Sequence, residues 1–323
     1  METWVGIDIS KDTFDAAWLL NGKKNHLKLE NNVKGFKRLL TEVPTESRFA
    51  MEATGEYHLN CARYLFTRGN MVAVLNPFAV KKHMQSDLRR CKNDKSDAYS
   101  IAKFAAEKNS DCWTCPTDDE IKLKHLDAVV DGLQKQIRQS KNMLHSLTQV
   151  SLRDDLAVSI IKKTISSLEA LMERARNKQL EMIESNKKEE TALACSIPGI
   201  GLETSIKFFT HVGNINRFDS SRSLISWIGL TPRNAQSGTS IHKNGGISRM
   251  GCTRLRSQFY MCAVVAIKYN PDCRAFYHRL KELGKPSKVA LIAVANKLLR
   301  QLYAVLTKKR PMYQIFVQKP LDI

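Results

Sequence analysis

The pattern of apolar and polar positions divides the chain into three stretches. In residues 1–112, short apolar runs alternate with polar links, which predicts strands over 4–9, 13–20 and 26–30 joined as hairpins. The other elements predicted in this stretch are a helix over 33–40, a strand over 48–52, a helix over 56–68, a strand over 71–75 and a helix over 96–107. Three strands followed by alternating helices and strands indicate a mixed sheet with helices on its faces.

Residues 113–190 have a helical period instead. From residue 117 onward they contain no proline and no glycine after Gly132. Apolar positions step by four and three over 126–147 and again over 161–182, with Ser140 and Gln179 weakening the two seams. Two such helices, broken near 151–155, predict a helical hairpin or a coiled-coil arm.

The last stretch, residues 191–323, opens with a tight glycine turn at 197–201. Loops are expected around 232–246, and three helices over 252–268, 273–283 and 287–306. The predicted domains are therefore 1–112, 113–190 and 191–323, of class α/β plus α.

Positive charge is concentrated in the last part of the chain. The net charge is +19, of which residues 1–200 contribute +4 and residues 201–323, with 20 basic and 5 acidic side chains, contribute +15. This asymmetry favours a polyanionic partner, most simply nucleic acid, over an ordinary basic surface.

Other partners are less consistent with the sequence. The longest uncharged apolar runs, such as 289–295, are too short to span a bilayer, and no signal segment opens the chain. Among eight cysteines, Cys112 and Cys115 alone have a ligand-like spacing, and a zinc site needs about four ligands. We expect a cytoplasmic protein with reduced, mostly buried thiols and no membrane partner.

Four carboxylates stand at unusual places. Asp8 lies inside an apolar strand, Glu52 ends another, and Asp94 and Asp97 are three residues apart at a helix start. Taken singly, Asp94 is a plausible N-cap, Asp97 a first-turn residue and Glu52 a surface charge. Taken together, they match the arrangement of RNase H-like nucleases, in which carboxylates crowd at one end of a sheet and hold two Mg²⁺ ions.

Several motifs make a resemblance specific. Residues 6–11 (GIDISK), 52–57 (EATGEY), 76–77 (NP) and 92–98 (KNDKSDA) resemble the DEDD insertion-sequence transposases of the one-hundred-and-ten family, which have a RuvC-like, RNase H-fold N-terminal domain. The C-terminal transposase domain of that family is similar to residues 196–201 (SIPGIG), 229–232 (GLTP), 237–238 (SG) and 246–256. The resemblance covers nearly the whole chain in the right order.

This resemblance implies a site-specific recombinase of a bacterial mobile element. Asp8, Glu52, Asp94 and Asp97 would hold Mg²⁺, with Mn²⁺ as the alternative, and Ser237 would attack a DNA phosphate. The partners would be DNA, as element ends and target, and a structured non-coding guide RNA. Because the serine and the carboxylates fall in different predicted domains, a composite site is expected, completed within a dimer or tetramer.

The residues alone leave the serine open. A serine beside glycine in a loop is usually a turn residue, and chemistry does not separate Ser237 from Ser240. Nearby cations would hold a phosphate, and His242 is either a proton carrier or a surface histidine. The cations expected to contact nucleic acid here are Arg233, Lys243, Arg249, Arg254 and Arg256.

Two further segments are candidate contacts for nucleic acid. Gly199 and Gly201 lie in a turn that is either a helix-hairpin-helix phosphate site or a plain interhelical turn. The basic run before Asp94 is either a solvated face or a contact to nucleic acid. Its members are Lys81, Lys82, Arg89, Arg90 and Lys92.

Two rival functions remain at this point. One is a hydrolytic RuvC-like nuclease or junction resolvase, which needs the carboxylates and Mg²⁺ but no serine. The other is a non-catalytic RNA- or DNA-binding protein whose acidic cluster is inert. A covalent protein–DNA adduct distinguishes the recombinase from both.

Overall fold

The computed structural model describes residues 3–53, 55–86, 94–149, 154–237, 241–247 and 251–316. These residues form two compact units, Met1–Pro116 and Thr117–Ile323. The predicted boundary at 112 therefore lies close to a division of the structure.

The first unit is built on a mixed sheet of five strands. The strands are β1 (Trp4–Ile9), β2 (Thr13–Leu20), β3 (Lys23–Glu30), β4 (Arg48–Glu52) and β5 (Val72–Leu75). Their order in the sheet is β3-β2-β1-β4-β5, with β1, β2 and β3 antiparallel and β1, β4 and β5 parallel. The mixed sheet predicted for this stretch is confirmed.

Each face of the sheet has its own core. On one face, Ile7 and Met51 pack with helices α1 (Val33–Glu42) and α2 (His58–Phe66). On the other face, the buried residues of the sheet pack with α3 (Pro77–Ser86) and α4 (Asp94–Lys108). These buried residues are Trp4, Ala50, Ala73 and Leu75. The strands alternate between the two cores because successive side chains point to opposite faces.

Helix α3 is absent from the pattern-based prediction, which treated this part of the chain as a basic stretch. Its start is nevertheless encoded locally. The Asn76 side chain accepts a hydrogen bond from the Phe78 N–H at 2.9 Å, and Pro77 occupies the first helical position. Capping by asparagine and proline at the first position both favour a helix start.

The second unit begins with two long helices, α5 (Asp118–Thr148) and α6 (Asp155–Cys195). Thr117 and Glu120 form a capping box at the start of α5, and Asp154 caps α6. The predicted break between the helices is confirmed. None of the predicted seam positions is exposed: Val130, Ile137, Ile165 and Gln179 are buried, and the others are partly buried.

The remaining helices are α7 (Leu202–Val212), α8 (Ser221–Ile228), α9 (Thr253–Tyr269), α10 (Pro271–Glu282), α11 (Ser287–Lys308) and α12 (Met312–Phe316). These helices share one hydrophobic core with the N-terminal part of α5, through Leu123, and with the C-terminal part of α6, through Ile183. The predicted boundary at 190 falls inside α6, so the helical hairpin and the C-terminal helices belong to one compact unit.

The expectation of loops around 232–246 is wrong. Strands β6 (Pro232–Ser237) and β7 (Ile241–Ile247) pair there as an antiparallel hairpin, with an irregularity between Pro232 and Asn234. These strands are rich in residues with low strand propensity, so cross-strand pairing and not the local sequence defines them.

Helix α11 is long and apolar enough, by length and composition alone, to cross a membrane. Half of its most apolar 18-residue segment is buried within the protein. Val294, Leu298 and Leu302 have no solvent exposure and lie in the core of the second unit. Burial in this core accounts for the apolar character of α11.

Candidate active site

Asp8 and Glu52 lie side by side at one edge of the sheet. The parallel ladder of β1 and β4 pairs Gly6 with Ala50 and Ile7 with Met51, and the next residues of the two strands are Asp8 and Glu52. Parallel neighbours are about 4.8 Å apart, and residues in register point to the same face. Both carboxylates are half-buried and lie on the face covered by α4.

Helix α4 brings Asp97 to the same face. It packs on β1 where Gly6 leaves room, because a β-carbon at Gly6 would overlap the Ala98 carbonyl oxygen. Asp97 is half-buried in the first turn of this helix, and Asp94 is its first residue. The backbone therefore directs three of the predicted carboxylates to one face, and only the backbone position of Asp94 is described.

Asp15 is another acidic residue on this face, and it is not among the carboxylates predicted from the sequence. Asp15 is opposite Asp8 in the antiparallel ladder and is 6% exposed. The Nε2 atom of His26 lies 2.6 Å from its Oδ1, and Lys28 Nζ lies 3.9 Å from its Oδ2. Its position in an apolar run, one strand away from Asp8, is the signal that could have identified it.

The donor set of these carboxylates suits a hard divalent cation such as Mg²⁺. The described side chains, however, contain no group of three or more His, Cys, Asp or Glu arranged to hold a metal ion. Asp8 and Glu52 nevertheless have the ligand type of a cation site, and each directly follows the paired residues of β1 and β4.

Ser237 is the last residue of β6, at the turn of the hairpin. It is paired in register with Ile241 of β7. Ser240 lies outside the described residues. Arg233 and Lys243 belong to the same hairpin, on β6 and β7.

Lys81 and Lys82 are exposed on α3, and Lys82 Nζ donates to Gln85 Oε1 at 3.1 Å. Both positions allow contact with a large partner. Four predicted contacts lie outside the described residues: Arg89, Arg90, Lys92 and Arg249.

Arg254 is part of an ion-pair cluster between α5, α7 and α9. Its Nη1 lies 3.1 Å from Asp127 Oδ2, and its Nε lies 2.8 Å from Asp131 Oδ2. His211 Nε2 is 2.9 Å from Asp127 Oδ2, and Lys207 Nζ is 3.2 Å from Asp131 Oδ1. Arg254 thus links helices that are far apart in sequence, while 43% of its side chain stays exposed.

Two opposing effects set the pKa of Asp127, which is 1% exposed. Burial raises this pKa, but the hydrogen bond from His211 and the charges of His211, Lys207 and Arg254 outweigh it. The pKa of Asp127 is therefore lowered. The carboxylate stays charged in the fold and stabilises the cluster.

Arg256 is also bonded within the protein. Its Nη1 donates to the Ile228 carbonyl oxygen at 3.0 Å, and its Nη2 donates to Thr253 Oγ1 at 2.8 Å. These bonds hold the start of α9 against the end of α8. A role in binding nucleic acid stays a prediction for both arginines.

The two glycines of the turn at 197–201 differ in their surroundings: Gly199 packs closely against another helix, whereas space is open beside Gly201. Gly199 has φ +106°, and a β-carbon there would lie 2.7 Å from Ala266 Cβ of α9. Gly201 is the N-cap residue of α7, and apart from its own backbone and its two chain neighbours no atom of the described residues lies within 4 Å of its β-carbon position. A phosphate contact is therefore sterically open at Gly201.

Seven of the eight cysteines lie in the described residues, and all seven are free thiols. Cys61, Cys262 and Cys273 are buried, whereas Cys112 and Cys195 are exposed. Burial raises the pKa of Cys61 to about 12 and that of Cys273 to about 11. These two thiols are inert at neutral pH.

Comparison with known families identifies the class of protein. Residues 5–151 match a DEDD transposase model of the IS110 type, and residues 191–278 match the transposase family IS116/IS110/IS902. The two matches follow each other in the chain: the first spans the sheet and α5, and the second runs from the last residues of α6 through the β6–β7 region. Both matches are to transposases, enzymes that cut and rejoin DNA.

Relatives similar over the full length support the same assignment. The pilin gene-inverting protein of Moraxella bovis is 30% identical over 96% of this chain and 97% of its own. The transposase of insertion sequence IS1328 from Yersinia enterocolitica is 26% identical over 95% and 97%. The transposase of IS1111A from Coxiella burnetii is 25% identical over 94% and 90%. The chain belongs to the IS110 family of insertion-sequence transposases.

Proposed function

We propose that this transposase exchanges DNA strands through a phosphoserine intermediate, with Mg²⁺ held by an RNase H-like domain. The observation that carries the proposal is the register of Asp8 and Glu52 on adjacent parallel strands, beneath the helix that carries Asp97. A mixed sheet with an antiparallel β1–β3 meander and parallel β4 and β5 supports the RNase H-like, RuvC-like assignment.

The carboxylates hold the cation in this proposal. Asp8, Glu52, Asp94 and Asp97 would bind Mg²⁺ or Mn²⁺, and the cation would offset their mutual repulsion. The chemistry that a divalent cation supplies when bound is stabilisation of negative charge on phosphate and departing oxygens. Asp15, already paired with His26, would add to the negative field at this edge.

The serine carries the strand transfer in this proposal. The Ser237 hydroxyl loses its proton and its Oγ forms a bond to phosphorus, while the bond from phosphorus to one deoxyribose oxygen breaks and that oxygen takes a proton. Attack by a hydroxyl of the other strand reverses these steps and rejoins the DNA without an external energy source. Arg233 and Lys243 on the same hairpin would hold the phosphate.

The partners follow from the family and the charge. DNA is the substrate, as element ends and target, and a structured non-coding RNA would guide the choice of sequence. Contacts with both nucleic acids are supported by the net charge of +15 on residues 201–323 and by the exposed lysines of α3. A dimer or tetramer in the cytoplasm would assemble the serine and the carboxylates at one phosphate.

The alternative is a hydrolytic nuclease that uses the carboxylates and no serine. The carboxylate edge alone is compatible with it. The relative named for inverting a pilin gene favours rejoining, because an inversion requires that every cut strand be resealed. Family membership argues against an inert binding protein.

A trapping experiment separates these mechanisms. The full chain is incubated with Mg²⁺ and a nicked DNA substrate, and adducted peptides are mapped by mass spectrometry. We expect one adduct, on Ser237, which Ser237→Ala abolishes together with recombinants while DNA binding remains. Ser240→Ala is the matched control and should retain both. An adduct on another residue overturns the serine assignment, and cleavage without an adduct establishes the hydrolytic nuclease.

A further inference from the structure

A cavity of about 710 Å³ lies between α10 and α11 in the second unit. Much of its wall is apolar, from Leu230, Ile247, Phe276, Val289 and Ile292. Small-molecule sites typically measure about 300–1,000 Å³, so one flat organic group fits here. Neither Ser237 nor the predicted carboxylates are among the described residues of the wall.

Three cations line the same cavity. They are Arg279, Lys297 and Arg300, and the described residues of the wall include no aspartate or glutamate. The Arg279 guanidinium lies 5.3 Å and Lys297 Nζ 5.4 Å from the centre of the Phe276 ring. The aromatic ring positions two of the charges, leaving them available to an anionic ligand.

We propose that this cavity binds one unpaired nucleotide of a nucleic acid strand. The base would lie among the apolar side chains, and its phosphates would contact Arg279, Lys297 and Arg300. A flat apolar body joined to an anion is the ligand that such a wall complements, and a nucleotide has both parts. Bases in a duplex are stacked, so the nucleotide must be unpaired to enter. The inference requires only that the chain binds nucleic acid and does not depend on the phosphoserine step.

The cavity also has a defined relation to the hairpin. Ile247, in its wall, pairs with Pro232 at the base of the hairpin, whereas Ser237 is five residues further along β6. Five residues of extended strand span about 17 Å. The captured nucleotide is therefore distinct from the one whose phosphate Ser237 would attack.

Binding measurements on the full chain test this proposal. The probes are a fluorescent single-stranded DNA, the RNA of the same sequence and the matching DNA duplex, each with a 5-iodopyrimidine for crosslinking. We expect crosslinks from the single strands to peptides within 276–300. The double variant Arg279→Gln/Lys297→Gln should weaken single-strand binding about tenfold or more and duplex binding much less. Tighter binding of the DNA or of the RNA identifies which strand supplies the nucleotide.

Two further variants distinguish binding in the cavity from a general loss of positive charge. Val289→Trp fills the mouth of the cavity at a position that is 51% exposed, so it should keep the fold and lower single-strand affinity alone. Lys308→Gln removes a positive charge from the same helix outside the cavity and should have little effect. Equal losses for duplex and single strand, crosslinks elsewhere, or unchanged binding by Val289→Trp would overturn the proposal. Loss of self-association in Val289→Trp with unchanged binding would assign the cavity to a second copy of the chain.

Discussion

Gly6 and Ala98 are in direct backbone contact where α4 crosses β1. A β-carbon on Gly6 would overlap the Ala98 carbonyl oxygen and lie close to the backbone nitrogen of Ala102. This contact fixes the first turn of α4, with Asp97, against the strand that carries Asp8 two residues further on. One glycine thus determines how the helix and the sheet edge are placed.

Gly6→Ala should therefore destabilise the first unit. Overpacking against backbone atoms that cannot move aside costs about 1–3 kcal/mol. Urea unfolding monitored by circular dichroism measures this loss. Gly132→Ala is the control, since apart from its chain neighbours and the nearby backbone of α5 no atom of the described residues lies within 4 Å of its β-carbon position. That variant should gain up to about 1 kcal/mol from helix propensity, and equal stability of both variants would contradict the close contact.

The predicted carboxylates should act as one unit in catalysis. Asp8→Asn, Glu52→Gln, Asp94→Asn and Asp97→Asn should each abolish recombination with the fold retained. Removal of one negative charge relieves repulsion, so the Tm without Mg²⁺ should stay equal or rise. Recombination assays and thermal melts with and without Mg²⁺ measure both effects.

Asp12→Asn provides the matched control for this series. Asp12 is exposed at the turn between β1 and β2, outside the carboxylate face. Its replacement should leave recombination unchanged. Full activity in two of the four carboxylate variants would refute the metal-site assignment.

Asp127→Asn should destabilise the second unit by about 2 kcal/mol at pH 7. The variant loses charge-assisted hydrogen bonds from His211 and Arg254, while Arg254 keeps Asp131. Because the pKa of Asp127 is lowered in the fold, its contribution is complete above the unfolded pKa of about 3.9 and is lost as the pH falls through the folded value.

Denaturant unfolding at pH 7 and below pH 4 measures this effect. The difference in free energy of unfolding between wild type and Asp127→Asn should become smaller as the pH falls. Glu169→Gln removes an exposed ion pair with Lys141 and should cost less than about 1 kcal/mol at pH 7. If the difference in free energy of unfolding stays constant down to strongly acidic pH, ionisation of Asp127 is not the source of the stabilisation.

Affinity for DNA should depend strongly on salt, falling by orders of magnitude between low and moderate ionic strength. Replacing Lys81 and Lys82 of α3 by Gln should reduce the slope of log affinity against log salt by about 2, one for each phosphate that is no longer neutralised. Filter binding at several salt concentrations measures the slope. The pair Lys34→Gln/Lys37→Gln on α1, on the other face of the sheet, should leave it unchanged. Equal slopes for both pairs would exclude the α3 lysines as phosphate ligands.

The periodic parts of the sequence determined much of the fold by themselves. The bounds of β1, β2 and β4 and the two long helices follow from local patterns with periods near two and near 3.6. The basic C-terminal third and the motifs around Asp8 and Glu52 likewise identified a DNA-processing family, because composition and short motifs need no knowledge of contacts.

Other features depended on contacts between residues far apart in sequence. The register that puts Asp8 beside Glu52, the pairing of β6 with β7, and the cavity between α10 and α11 all arise when distant segments pack together. Arg254 is a clear case: a cationic neighbour of Ser237 in sequence, it forms ion pairs with Asp127 and Asp131 on α5. A local pattern records the residue types but not which partners folding brings within bonding distance, so only the tertiary structure decided these relationships.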